Sequence, residues 1–151
     1  MFGLGTARGD RRLQRGFEQK AAQTLFSWWC VTAAPLILGT DLTSNIDSYD
    51  YSLLHNSEVI TVNQAGVQAA PVVDYFNSDP SGTEPETWRA KEADSSFTVL
   101  VSNPSGNTQT GTTAWSLFGI PGPVIVRDLR SGQRKPELPS RLEYHHDFVD
   151  L

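Results

Sequence analysis

Few side chains in this 151-residue chain have the type and spacing to do chemistry. Asp41 has the best placed carboxylate. It follows Leu36-Ile37-Leu38-Gly39, a continuous apolar run of the kind that forms a strand buried on both faces. A carboxylate directly after such a strand stands at its C-terminal mouth, where α/β barrels build their sites. There it could touch a ligand or brace a pocket, or it could cap a turn through the Thr43 and Ser44 amides. Asp50, in Ser48-Tyr49-Asp50-Tyr51, falls in a helical stretch and reads as a solvated acid. Asp79, in Asn77-Ser78-Asp79-Pro80, reads as part of a surface turn. His145-His146-Asp147 has metal-ligand residue types, but neighbours on a strand point to opposite faces, and only His55 remains to complete a set. No metal site is therefore expected. Gly3-x-Gly5 has no strand ahead of it, and Arg8-Gly9-Asp10 lies in a glycine- and arginine-rich stretch where chance produces that tripeptide. No serine–histidine–carboxylate or cysteine–histidine arrangement has positional support.

The elements around these residues fall into two kinds. Residues 1–16 hold four glycines and four arginines and read as a flexible lead-in. A helix is expected from Phe17 to Ala33, with Phe17, Ala21, Leu25, Trp28 and Thr32 on one face and Pro35 as its stop. After the apolar run, Asp47 can cap a helix from Ser48 to His55, and Ser57 can cap another from Glu58 to Gln64 that Gly66 closes. Helix, buried strand and helix make an α/β alternation. Beyond Gly66 the periodicity becomes that of strands: Val72–Phe76, Thr87–Ala90, Ser96–Ser102, Thr112–Leu117, Val124–Leu129 and Leu142–Leu151, separated by turn signals. Such spacing suggests an antiparallel sandwich. Trp88 and Trp115 could stack on sugars, but a tryptophan in a small sandwich more often belongs to its core.

Composition sets the outer limits. With 38% hydrophobic and 19% charged residues the chain is of ordinary globular type. A net charge of -5 gives no electrostatic case for nucleic acid or an anionic membrane, and no apolar stretch approaches a membrane span. Cys30 is the lone cysteine, so no intrachain disulfide can form, and its apolar setting makes it a buried thiol. A (β/α)8 barrel needs about 250 residues, so a whole one cannot fit.

The segment from Phe26 to Gln64 carries more information than any other. Ala33, Ala34, Pro35, Leu36, Asp41, Leu42, Glu58, Val59, Ile60, Val62, Asn63 and Gln64 stand in the order and spacing found at the end of a particular catalytic barrel. The segment resembles α-galactosidases of glycoside hydrolase family 27, the melibiase family. Weaker matches follow at Trp88, Phe97–Val101, Trp115-Ser116-Leu117 and Val126-Arg127-Asp128-Leu129, which resemble that family's C-terminal β-domain.

The resemblance implies α/β plus all-β architecture. Residues 17–66 would be the C-terminal end of a (β/α)8 glycosidase barrel, and residues 67–151 a C-terminal antiparallel β-sandwich, both incomplete. It implies hydrolysis of terminal α-galactosides with retention by two aspartates and no cofactor. α-N-acetylgalactosaminidase and β-L-arabinopyranosidase are the neighbouring specificities. One aspartate should end a Lys-Tyr-Asp strand, the other should follow an arginine on a later strand, and an Asp-Pro-Asp motif should help bind the sugar. None of these motifs occurs in strand context here, so no catalytic residue is assigned, and Asp41 is left as a candidate for bracing the substrate pocket. The chain alone is expected to be inactive and to expose apolar surface, and its substrate contact would come through an upstream barrel. The family's secreted or lysosomal habit is implied by resemblance only, since the N-terminus lacks a signal pattern. The alternative is a non-catalytic carbohydrate-binding or subunit-interaction module.

Overall fold

A computed structural model describes residues 11–39, 46–72, 86–103, 108–136, 138, 141–146 and 149–150. Helix α1 (Arg11–Val31) begins six residues before the expected start, because Arg11, Arg12, Leu13, Gln14 and Arg15 are all good helix formers. Those residues are thus helical rather than a lead-in, and residues 1–10 lie outside the described set. The helix ends at Val31, short of the expected Ala33, and a turn over Thr32 and Ala33 follows it before Pro35. Ala33 takes a left-handed conformation (φ 52°), and the Ala34 N–H closes back onto the Trp29 carbonyl at 2.9 Å. This is a glycine-type stop made by alanine, and the left-handed alanine costs about 1–2 kcal/mol.

The face that α1 buries also differs from the expected one. Ala21 and Leu25 are exposed, whereas Gln23, Phe26, Ser27, Cys30 and Val31 are buried. The reason is that the helix packs on two sides at once. Phe26 and Cys30 meet Val59, Leu53, Leu54 and Ile60 of α2 (Ser48–Leu54) and α3 (Ser57–Gln64). Val31 and Trp28 meet Ala69, just ahead of the sheet, and Ala90, Leu100 and Trp88 within it. Asp47 caps α2 as expected, its carboxylate accepting the Tyr49 N–H at 2.8 Å. Asn56, not Ser57, caps α3 and accepts from the Glu58 and Val59 N–H groups.

Leu36–Gly39 forms no strand, contrary to the sequence reading. A strand exists only by pairing, and among the described residues none lies beside it to pair. Leu36 packs against the Phe26–Cys30–Val59 cluster, while Ile37 is 78% and Leu38 50% exposed.

The β part is antiparallel throughout. One sheet has the order β1 (Ala70–Pro71), β2 (Glu86–Lys91), β3 (Phe97–Ser102) and β6 (Val149–Asp150). A second pairs β4 (Gln109–Ala114) with β5 (Arg141–His146). Residues 73–76 of the expected first run lie outside the described set. The central strand β3 is covered on both faces. Leu100 packs toward α1, while Phe97 and Val99 pack against Trp115, Phe118 and Ile120. Leu100→Ala would therefore cost about 2–5 kcal/mol. The expected strand over Thr112–Leu117 stops at Ala114, where Trp115–Phe118 turns into a 3-10 helix ended by Gly119 in the left-handed region. Val124–Leu129 makes only isolated bridges, Val124 with Leu138 and Arg127 with Arg134. Pro121, Pro123 and Pro136 beside it cannot donate to a ladder.

Candidate functional site

Asp41 lies outside the described residues, but the frame on either side of it does not. Helix α1 ends in carbonyls that no helical N–H can reach, a general problem of helix C-termini. Backbone N–H groups of the turn and of Ala69 meet most of them, and buried Asn63 of α3 ties the last turn of α1 to the chain that leaves it. Its amide donates to the Ala34 carbonyl at 2.8 Å and to the Trp29 carbonyl at 3.2 Å. The Gln64 amide in turn donates to the Asn63 oxygen at 3.1 Å. The Val-Asn-Gln end of α3 therefore fixes the exit of α1, and with it the launch of the segment that leads to Asp41. On the far side, Tyr49 of α2 donates its hydroxyl to Gln23 of α1 at 2.6 Å, and burial pushes that phenol up from its ordinary value.

Helix α3 is also held from the β side. The Asn56 amide donates to the Leu129 carbonyl at 2.9 Å. The Arg127 guanidinium meets both Glu58 oxygens, through Nε at 2.6 Å and through its terminal nitrogen. That pairing holds the Glu58 carboxyl below the usual carboxylate range. Next to it, Asp128 accepts from the Arg130 N–H at 2.8 Å and from the Ser131 hydroxyl at 2.6 Å. Burial pushes Asp128 up, but the bonds from Ser131 and Arg130 outweigh it and leave the carboxyl lowered. Two stretches that carried the resemblance, 58–64 and 126–129, thus turn out to touch each other.

The other sequence candidates separate as follows. Asp50 is exposed on α2, and Asp79 is outside the described residues. Trp115 is buried, and its ring N–H donates to the Leu138 carbonyl at 3.2 Å, so it is a core residue and has no face for a sugar. Trp88 stands edge-on to Trp28 with ring centres 4.6 Å apart. His145 and His146 are successive residues of β5, and Asp147 is outside the described set. Among the described residues no three His, Cys, Asp or Glu side chains gather to hold a metal. The Cys30 thiol is fully buried, and burial pushes it up to about 11.

An open cavity of about 250 Å³ lies beside the 3-10 helix, walled by Pro71, Val72, Leu117 and Gly119. Its charged group is Arg89, which donates to the Phe118 carbonyl and lies over the Phe97 ring. An arginine offers charge and hydrogen-bond donors there. Elsewhere Glu92 accepts from Thr98, and Asp94 accepts from the Ser96 N–H, so both are used in the β2–β3 turn. The carboxylates of Asp47, Glu58, Glu92, Asp94 and Asp128 therefore hold turns, a helix cap and an ion pair. Sequence reasoning missed Asn63 as a clamp and the Glu58–Arg127 pair. The opposite charges were visible, but nothing local joins positions 69 residues apart.

No protein-family model matches the chain. An α-galactosidase of Coffea arabica is 36% identical over 108 residues, which cover 69% of this chain and 26% of the relative. An α-galactosidase of Cyamopsis tetragonoloba is 32% identical over 118 residues, covering 76% of this chain and 27% of its own length. Among solved structures, a family GH27 β-L-arabinopyranosidase from Geobacillus stearothermophilus superposes with a TM-score of 0.76 at 21% identity, over 87% of this chain and 29% of its own. α-Galactosidase I from Mortierella vinacea gives 0.75 at 21% identity, over 87% and 34%. The chain spans about a quarter of the length of the curated relatives it matches.

Proposed function

The chain belongs with the α-galactosidases of glycoside hydrolase family 27, and on that footing we propose that it works as one part of a retaining α-galactosidase. The observation that carries this reading is the extended similarity to the Coffea arabica enzyme, 36% over 108 residues. The order of residues from Ala33 to Gln64 agrees with it.

In this reading residues 17–66 complete a barrel and residues 67–151 form the β-domain beside it. The chemistry needs two carboxyl groups about 5–5.5 Å apart, one attacking the anomeric carbon and one delivering a proton to the leaving oxygen. Both belong to the portion of the enzyme beyond this similarity. This chain contributes position. Asn63 and Ala34 fix the end of α1, Leu36–Gly39 becomes a barrel strand once neighbours flank it, and Asp41 follows at the mouth. Asp41 then braces the pocket wall through hydrogen bonds and does not transfer a proton. By itself the chain does not hydrolyse glycosides.

The test is hydrolysis of an α-galactoside by the protein made from the reading frame extended upstream of Met1. A second arm replaces Asp41 by Ala in that protein. Reduced turnover with unchanged folding supports the bracing role, and unchanged activity and stability remove it.

A further inference from the structure

Strand β2 alternates between two surroundings. Trp88 and Ala90 face α1, so Thr87 and Arg89 lie on the opposite side of the sheet, with Phe97 and Val99 of β3. Both polar side chains on that side are short of partners. Arg89 is half-buried. One of its terminal nitrogens donates to the Phe118 carbonyl, and the guanidinium lies over the Phe97 ring, 5.8 Å from its centre. Among the described residues no carboxylate pairs with it. Thr87 is 2% exposed, and its hydroxyl has no hydrogen-bond partner. Buried charges are normally paired and buried hydroxyls normally bonded, so this side of β2 wants a group that the chain itself does not supply. The open cavity of about 250 Å³ lies against it. Val72 in the cavity wall donates its N–H to the Thr87 carbonyl at 2.9 Å, so Thr87 adjoins that wall. Gly119 leaves room for the guanidinium: a Cβ there would stand 2.7 Å from the Arg89 nitrogen, and its φ of 66° already favours glycine.

We propose that this cavity binds a small monocarboxylic acid with an apolar body, the carboxylate forked onto Arg89 and the body against Pro71, Val72 and Leu117. Two features select that class. A planar guanidinium held in place by Phe118 and Phe97 still has free N–H groups, and these match a carboxylate in a pair of parallel hydrogen bonds. The facing wall is hydrocarbon, with Leu117 48% exposed, and a bare inorganic anion would leave it wet. Ser116 adds a hydroxyl to the lining. At about 30 Å³ for each water-sized group, the space takes roughly eight of them, close to the size of benzoate. The site is separate from the glycosidase reading, because it uses no residue between Ala33 and Gln64.

The experiment titrates benzoate into the isotope-labelled 151-residue chain near neutral pH and follows the backbone amides of Arg89, Ser116 and Gly119 by NMR. Saturable shifts centred on the cavity are expected, with a Kd on the order of 1 mM for so small a ligand. Benzyl alcohol keeps the ring without the charge, and inorganic phosphate keeps charge without the ring. Each should bind at least about tenfold more weakly. Arg89→Gln should weaken benzoate at least about tenfold, since the fork is lost. Arg134→Gln removes an exposed arginine outside the cavity and should leave the affinity unchanged. Leu117→Asp sets a like charge in the wall of the cavity at a half-exposed position, and it should abolish binding while the amide spectrum shows the sheet intact. That variant decides the matter if Arg89→Gln does not fold. The proposal is overturned by shifts that fail to saturate or lie away from the cavity, by equal affinity for either control ligand, by full affinity in Arg89→Gln or Leu117→Asp, or by an equal loss in Arg134→Gln.

Discussion

Replacing Asn63 by Ala probes the join between α3 and α1 most sharply. The side chain is buried and makes two donor bonds, at 2.8 Å to Ala34 and 3.2 Å to Trp29. The Trp29 carbonyl keeps the Ala34 N–H as a partner, so its loss is partial. The Ala34 carbonyl loses the donor that holds it. A net bond contributes about 1 kcal/mol, and an acceptor stranded at the half-buried Ala34 costs about 1–2 kcal/mol more. The expected loss is about 2–3 kcal/mol. For a domain of this size that lowers Tm by roughly 4–12 °C. Urea unfolding at sub-micromolar concentration, followed by the summed fluorescence of the four tryptophans, measures it without self-association. Gln64→Ala is the control: that side chain is exposed and should cost under about 0.5 kcal/mol. Asn63→Asp gives a second signature. The introduced carboxylate faces two carbonyl oxygens, so its folded pKa is raised above its unfolded value. Its penalty is full at neutral pH and shrinks as pH falls and the group protonates. A loss below about 0.5 kcal/mol for Asn63→Ala, or a pH-independent penalty for Asn63→Asp, would refute the clamp.

Glu58 has its carboxyl depressed by the hydrogen bonds from Arg127, so its contribution is present above the unfolded pKa and is lost as pH falls through the folded pKa. Comparing stability against pH for the wild type and Glu58→Gln should show the two curves converging on the acid side, and high salt should narrow the gap at neutral pH. Cys30, buried and pushed up to about 11, should be inert to a disulfide reagent at pH 8 and react fully once urea unfolds the chain. Ala33→Gly removes the left-handed alanine at the end of α1 and should raise stability by about 0.5–1 kcal/mol in the same urea assay, after the greater freedom of glycine in the unfolded chain is offset.

The elements that could be read from the sequence are those whose signals are local. Asp47 stands one residue before a helical run and caps it. The alternation from Phe97 to Ser102 made a strand, and the turn residues before it made the β2–β3 connection. Where partners decide, the reading failed. Leu36–Leu38 has strand composition but needs neighbours to become one. The buried face of α1 is turned away from Ala21 and Leu25 because two separate layers grip the helix, and a single-stripe pattern assumes one layer. Trp115 looked like part of a strand, yet the chain coils there to drop Trp115 and Phe118 onto Phe97 and Val99. The site was legible chiefly as a family pattern. Asn63 and Gln64 matched it as letters, and only the fold supplies the reason, which is the join between the last turn of α1 and the chain that leaves it. Glu58 and Arg127 became a pair only when α3 met the 127–132 turn.

The measurement that bears most directly on the central proposal is glycoside hydrolysis followed by proton NMR. p-Nitrophenyl α-D-galactopyranoside would be given to the 151-residue chain and to the protein from the upstream-extended reading frame. The account predicts no turnover by the former, and turnover by the latter with α-galactose as the first-formed anomer, the stereochemistry of a two-aspartate retaining mechanism. Turnover by the 151-residue chain, β-galactose as the first product, or an extended protein that folds and leaves the substrate intact would contradict it.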